Sequence, residues 1–190
     1  MRFPAARLVP REGDLYAHLF ENPATGLARN VYWSVTVDFE TLDHAGEAMT
    51  CTSTVDWLRP DVRDWRALGG RTITLPRDDG LAESSFYVGE HLPARTTKLA
   101  FRPQLEGRFG ITLEQVVDLR SESGEEADAQ TSIRADVEVP YRGLIVVPGN
   151  LSSIPATPES IGEALRPHID VAAYHPLERD GRGFILRPRW

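Results

Sequence analysis

Residues 31–58, VYWSVTVDFETLDHAGEAMTCTSTVDWL, decide the fold class of this chain. Apolar and polar side chains alternate from position 31 to position 40, and the pattern returns at positions 49–57 between threonines. Successive side chains of a β-strand point to opposite faces, so each segment predicts a strand with one buried side. The predicted buried side consists of Val31, Trp33, Val35, Val37 and Phe39, followed by Met49, Cys51, Ser53, Val55 and Trp57. Residues 41–47 are turn-like, which predicts a long antiparallel hairpin over about residues 31–58.

A second hairpin is predicted over about residues 108–139, because the same alternation occurs at positions 109–119 and 133–139. The connecting residues 121–128 carry four carboxylates and no basic residue. We interpret them as a solvated loop rather than a metal site, since metal-binding loops place their ligands between fixed turn glycines. Two hairpins of this kind predict a mainly β fold, either an antiparallel sandwich or an open barrel.

The remaining elements are short. Pro60 and Gly69-Gly70 frame a predicted helix over residues 61–68, and Thr157 and Pro158 begin another over residues 158–166. Further strands are predicted at 71–76, 84–88, 96–101, 143–148, 169–174 and 183–187.

We expect residues 1–190 to form a single β-rich domain, since no change in composition marks a boundary. Residues 148–155 are rich in proline, glycine and serine and lead into a C-terminal extension, residues 149–190. Residues 31–76 and 109–148 each contain a hairpin followed by a short strand that ends in proline. This order is consistent with a two-fold internal repeat, and also with independent strands of similar composition.

Composition narrows the class of protein. The chain has 190 residues, 41% of them hydrophobic and 26% charged, as is typical of a soluble domain with its own core. No segment has the ~18 consecutive apolar residues of a membrane-spanning helix. The net charge of −7 disfavours nucleic acid as the main partner, because phosphate binding needs concentrated positive charge. Lys98 is the only lysine, an arginine bias typical of bacterial genomes rich in G and C.

Cellular location follows from cysteine content and the first residues. Cys51 is the only cysteine, so no internal disulfide forms and no oxidising compartment is required. Residues 1–10 lack the apolar run of about 7–15 residues that a secretory signal needs. We therefore expect a cytoplasmic protein.

Metal-ligating residue types are densest in residues 167–175, PHIDVAAYH. His168 and Asp170 would share one face of a strand, whereas His175 lies an odd number of residues further on and faces away unless the strand ends at Tyr174. Two histidines and a carboxylate suit catalytic zinc or non-haem iron. The alternative is that both histidines are loop residues beside prolines, because the spacing matches no established metal signature. A divalent metal is the only cofactor that the sequence suggests.

Two further patterns bear on catalysis. Cys51 would become a nucleophile only beside a base such as His44, and its position within a strand favours a buried thiol. Carboxylates at positions 38, 40, 114, 118, 136 and 138 lie on the polar sides of the strands. Inside a barrel they could pair for acid–base chemistry, whereas on an outer face they are ordinary polar residues with Arg134 as a partner.

Aromatic residues are the candidates for ligand contact. Tyr32 lies on the polar side of its strand, and Trp190 ends a segment rich in arginine and aromatic residues. That segment would suit an anion or a single-stranded nucleic acid, or would simply form a last strand with Trp190 packed at its end.

Two function hypotheses follow from these patterns. The first is a non-catalytic module that binds a protein or a small molecule through a sheet face or through loops, with aromatic anchors such as Tyr32 or Trp190. The second is a small metal-assisted enzyme, with its site near His168, Asp170 and His175 or in a barrel interior. Exposed strand edges need cover, which favours a homodimer.

Overall fold

We describe the protein from a computed structural model that covers residues 3–44, 46–76, 82–103, 106–118, 130–151, 154–181 and 183–190, with the backbone alone at residues 25 and 44. The strands are β1 (Pro10–Asn22), β2 (Leu27–Phe39), β3 (Leu42–His44), β4 (Glu47–Met49), β5 (Cys51–Leu58), β6 (Thr72–Pro76), β7 (Glu83–Val88), β8 (Glu90–Pro103), β9 (Arg108–Asp118), β10 (Gln130–Val146), β11 (Glu178–Asp180) and β12 (Gly183–Leu186). Helix α1 spans Pro158–Leu165, and 3-10 helices span Ala5–Arg7, Pro23–Thr25, Trp65–Leu68, Pro148–Asn150 and Val171–Ala173.

Within the described residues, seven strands close into a barrel in the order β1-β2-β5-β7-β8-β9-β10. Neighbouring strands are antiparallel, except that β10 returns to pair with β1 in parallel, with Leu15 beside Tyr141. Strand β6 adds to β8, while β12 and then β11 add to the end of β10. The expected mainly β fold is confirmed, and the β1–β10 pairing closes the barrel that the sequence left open.

Alternation along the strands builds the core. Val37, Val55, Leu99, Ile111 and Leu113 point into the barrel and have no exposed surface. Each removes apolar area from water, and together such residues supply the main force that holds the barrel closed. The predicted buried sides of the two hairpins are therefore confirmed at Val37 and Val55 and at Ile111 and Leu113.

The first hairpin differs from the prediction at its ends. Strands β2 and β5 pair as expected, but the small hairpin β3–β4 occupies the predicted turn. Between the pairs Val35–Val55 and Trp33–Leu58, β5 uses two residues where β2 uses one, which makes a β-bulge. The bulge places Trp57 on the outer face with φ +61°. The prediction that Trp57 belongs to the buried side is wrong.

The two predicted helices have different outcomes. Helix α1 confirms the helix predicted at 158–166, with Thr157 accepting a hydrogen bond from the backbone N–H of Ser160 at 3.3 Å. The helix predicted at 61–68 is wrong, because only the 3-10 helix Trp65–Leu68 forms there. Asp61 has φ +51°, which a right-handed helix excludes, and Asp64 caps the 3-10 helix instead.

Three strand predictions also change. Residues 169–174 form no strand, since Asp170 accepts a hydrogen bond from Ala172 N–H and begins the 3-10 helix Val171–Ala173. Residues 133–139 and 143–148 belong to one continuous strand, β10, through Val146. Strand β1, residues 10–22, was not predicted, because both of its sides are largely apolar and the period of two is hidden. The strands predicted at 71–76, 84–88, 96–101 and 183–187 are confirmed by β6, β7, β8 and β12.

Other predictions stay open. The single domain, the extension 149–190 and the internal repeat of 31–76 in 109–148 remain predictions, and the acidic loop 121–128 lies outside the described residues. In the part of the chain that is described, no helix is long and apolar enough to cross a membrane.

Candidate functional site

A cavity of about 430 Å³ lies at the barrel end where β2 begins and β5 finishes. Its lining includes the apolar side chains of Val31, Trp33 and Val62, which are 6%, 2% and 8% exposed. Small-molecule sites in proteins have volumes of roughly 300–1,000 Å³. The cavity therefore has room for a small organic ligand with an apolar part. Its polar rim consists of Asn30, Arg59, Asp61, Arg63 and His168.

Two chain segments hold this rim in place. The loop after β5 carries Arg59 and Arg63, and the turn after α1 carries His168. The Arg63 guanidinium donates to the carbonyl of Arg166 at 2.7 Å, and the backbone N–H of Asp170 donates to the carbonyl of Arg63 at 2.8 Å. These two hydrogen bonds hold the turn after α1 against the loop after β5. Because they reach Arg166 and Asp170, on either side of His168, the side chain of Arg63 helps to position His168.

His168 is half-buried and stands between this cavity and a second one of about 390 Å³. Burial lowers the pKa of His168, and the positive charges of Arg29, Arg59 and Arg63 lower it further. The imidazole is therefore neutral at pH 7, with one nitrogen that donates and one that accepts a hydrogen bond. Glu163 contributes a carboxylate to the rim of the second cavity.

Arg59 is the arginine best placed to contact a ligand. Its side chain is exposed, and among the described residues it takes part in no ion pair. Arg29, by contrast, pairs with Glu21 at 2.9 Å. The lining of the larger cavity contains Arg59 and Arg63 against the single acid Asp61, which leaves it net positive. A guanidinium presents a planar fork of N–H donors that matches carboxylate and phosphate oxygens.

The predicted metal residues are not assembled into one site. Asp170 caps the 3-10 helix Val171–Ala173. His175 is exposed, and its backbone N–H donates to the carbonyl of Arg187 at 2.8 Å. Among the described residues, no three His, Cys, Asp or Glu side chains lie close enough together to hold a metal ion. His168 thus contributes to the rim of a cavity without Asp170 or His175 beside it as metal ligands.

The predicted aromatic anchors lie in two different places. Tyr32 has no exposed surface, and its hydroxyl donates to the carbonyl of Ala28 at 2.8 Å. Trp190 is 64% exposed and packs edge-on against Trp65, with ring centroids 5.5 Å apart. It covers Gly107 beside an apolar cavity of about 310 Å³. Neither residue lines the cavity of about 430 Å³ that contains Arg59.

The catalytic alternatives have simple structural descriptions. Cys51 is 2% exposed, and burial raises the pKa of its thiol, which keeps it protonated. The side chain of His44 lies outside the described part. Four of the six carboxylates pair with arginines on the outer faces of the strands, namely Glu114, Asp118, Asp136 and Glu138, whereas Asp38 accepts a hydrogen bond from Thr52 at 2.8 Å. Asp136, for example, contacts Arg102 at 2.5 Å, and this hydrogen bond lowers the pKa of the Asp136 carboxyl.

Arg59 and Arg63 were not predicted as site residues. They lie in an irregular loop that carries no periodic signal, and the helix predicted at 61–68 placed Arg63 within a helix. Trp33 was predicted to lie in the core, and it does. It also lines the cavity, because residues 59–63 after β5 form part of the same lining. The one available signal was the dense run of arginine and proline at residues 59–63, RPDVR.

Searches of protein-family models, curated proteins and solved structures find no match to this chain.

Proposed function

We propose that the protein is a non-catalytic binding module for a small organic anion. The anionic group, a carboxylate or a phosphate, contacts Arg59 at the rim, and a flat apolar part enters between Val31, Trp33 and Val62. The observation that carries this proposal is an exposed arginine, without an ion pair among the described residues, in the lining of a cavity of about 430 Å³ that also contains Val31, Trp33 and Val62.

The energetics favour a ligand with both parts. Burying apolar area contributes about 25 cal/mol per Å², so a ring seated on the apolar lining adds affinity that a bare anion lacks. A hydrogen bond to a charged group contributes about 1.5–3 kcal/mol, which a neutral ring lacks. His168 supplies a further neutral hydrogen-bonding group at the same rim, and Asp61 disfavours ligands with excess negative charge on its side.

Isothermal titration calorimetry with three probes tests this proposal. Phenyl phosphate carries both parts, inorganic phosphate carries the anion, and phenol carries the ring. We expect phenyl phosphate to bind more tightly than either of the others. Trp33 fluorescence provides a second readout, because this indole lines the cavity.

Arg59→Gln is the diagnostic variant, with Arg134→Gln as its matched control. Arg134 is exposed on β10 and is not part of the cavity lining, and its replacement by glutamine removes the same positive charge. We expect Arg59→Gln to weaken phenyl phosphate binding about tenfold or more and Arg134→Gln to leave it unchanged. Equal binding by both variants, or equal affinity for all three probes, would overturn the proposal.

A further inference from the structure

A cavity of about 310 Å³ beside Trp190 has a lining of its own. It shares no lining residue with the two cavities around His168. Three aromatic side chains line it, together with three charged ones. A largely apolar cavity with a few polar groups in its lining is typical of a small-molecule site. We call this site the tryptophan cavity, and its aromatic and charged residues are Trp65, Phe109, Trp190, Arg66, Glu106 and Arg108.

Trp190 is the most accessible aromatic ring of the tryptophan cavity. It is 64% exposed, whereas Trp65 and Phe109 are 6% and 2% exposed. The ring of Trp65 lies at 83° to both of the others, with its centroid 5.5 Å from that of Trp190 and 6.1 Å from that of Phe109. The π face of an indole attracts a cation more strongly than the other side-chain rings do. One such contact is already present here, because the Arg66 guanidinium lies 4.5 Å from the ring centroid of Trp65.

The charges around the tryptophan cavity leave one carboxylate without a partner. Arg66 pairs with Asp64 at 3.2 Å, and Arg108 pairs with Glu138. Glu106 takes part in no ion pair within the residue ranges that the structure describes. The two arginines are therefore neutralised by two carboxylates outside the lining, and the charge of Glu106 remains. This balance favours an organic cation as the ligand of the cavity.

The turn that carries Glu106 has an unusual backbone conformation. Glu106 has φ +55° and Gly107 has φ +68°, both in the left-handed region that favours glycine. Glycine is required at position 107, because a Cβ atom there would lie 1.3 Å from a ring carbon of Trp190. Glutamate is a poor choice at position 106, since glycine would adopt the same φ with less strain. Strained residues cluster at ligand sites, which supports a role for the Glu106 side chain in binding.

We propose that the tryptophan cavity binds a small quaternary ammonium compound. The methyl groups of the ligand contact the rings of Trp190 and Phe109, and the Glu106 carboxylate neutralises its charge. A quaternary ammonium fits this lining better than a primary one. A primary ammonium has three N–H donors to satisfy, whereas Glu106 is the only carboxylate in the lining, and a quaternary ammonium presents its charge through an apolar surface.

Isothermal titration calorimetry with choline tests this proposal. The comparison ligand is the neutral alcohol in which a carbon atom replaces the nitrogen of choline, so that shape is kept and charge is lost. We expect choline to bind about tenfold more tightly than this alcohol, because only the cation gains the attraction of the Trp190 ring and of Glu106. Equal affinity for the two compounds, or no binding of choline at millimolar concentration, would overturn the proposal.

Glu106→Gln removes the charge and keeps the length of the side chain. We expect it to weaken choline binding about tenfold. Glu90→Gln is the matched control, because Glu90 is an exposed carboxylate on β8 that does not line the cavity. This control should bind choline as the wild type does. If the two variants bind choline equally well, Glu106 has no part in the site and the proposal fails.

A second pair of variants examines the aromatic ring. Trp190→Leu removes the ring and should weaken choline binding about tenfold, whereas Trp190→Phe keeps a ring and should retain part of the affinity. Circular dichroism checks that both variants are folded. Arg59→Gln should bind choline as the wild type does, because Arg59 lines a different cavity. Unchanged affinity in folded Trp190→Leu, or loss of choline binding in Arg59→Gln, would place the cation elsewhere and refute the assignment.

Discussion

Replacing Trp57 by glycine or by alanine measures the backbone strain at the bulge directly. Both variants lose the same indole ring and the same ring contacts, so the difference between them reports the backbone alone. At φ +61° a residue with a Cβ atom is disfavoured over glycine by roughly 1–2 kcal/mol. Glycine loses about 0.4–1 kcal/mol more chain entropy on folding. At the midpoints of the two ranges, the Trp57→Gly variant should therefore be about 0.8 kcal/mol more stable than Trp57→Ala, with an upper limit of about 1.6 kcal/mol.

A control on the same strand gives the opposite order. Thr54 pairs with Thr36 in ordinary register on the outer face of β5. At such a position glycine is about 0.5–1 kcal/mol less stable than alanine. Urea unfolding followed by circular dichroism gives the free energy of unfolding for all four variants. If Trp57→Ala matches or exceeds Trp57→Gly in stability, the strain argument fails.

Three further predictions concern stability and reactivity. Burial lowers the pKa values of His18 and His168 below 6.5, so the unfolded chain binds more protons as pH falls through that value. Urea titrations should give a lower free energy of unfolding at about pH 5.5 than at about pH 7.5. This decrease should be smaller in the double variant with glutamine at both positions. An equal decrease in the wild type and the double variant would contradict the prediction. Gly107 has φ +68° and lies under the Trp190 ring, so Gly107→Ala should destabilise the fold by about 1–3 kcal/mol. Adding Trp190→Ala to that variant should recover part of the loss, and strictly additive effects would argue against the overlap. Cys51 is buried with a raised thiol pKa, so iodoacetamide should alkylate it only as urea opens the barrel, and rapid labelling of the native protein would contradict its burial.

The fold class could be predicted because it depends on a local signal. Alternation at residues 31–40 and 109–118 is set by which side of each strand meets water, and this needs no knowledge of partners. Strand β1 was not predicted because its outward residues, such as His18 and Phe20, are partly buried aromatic side chains. The alternation of polar and apolar residues is therefore weak in this strand. The bulge at Trp57 was not predicted for another reason. One extra residue in β5 moves the side chains that follow it to the opposite face of the sheet, and the sequence does not mark the position of that extra residue.

The candidate site depends on contacts between distant segments. His168 could be selected as a chemically capable residue, but its surroundings come from Arg59 and Arg63, more than a hundred residues earlier in the chain. The metal hypothesis assumed that residues 169–174 form a strand, in which Asp170 would face the same way as His168. The Asp170 carboxylate instead satisfies a backbone N–H at the start of a 3-10 helix, a competing local use for that side chain.

Closure of the barrel through β1 and β10 has a kinetic consequence. The pair Leu15–Tyr141 joins positions 126 residues apart in the sequence (141 − 15), so the last ladder must wait until β10 has been synthesised. High contact order of this kind slows folding, and a nascent chain emerging from the ribosome carries an unsatisfied β1 edge in the meantime. Such an edge is a template for pairing with other chains, which makes chaperone capture most valuable before translation of β10 is complete.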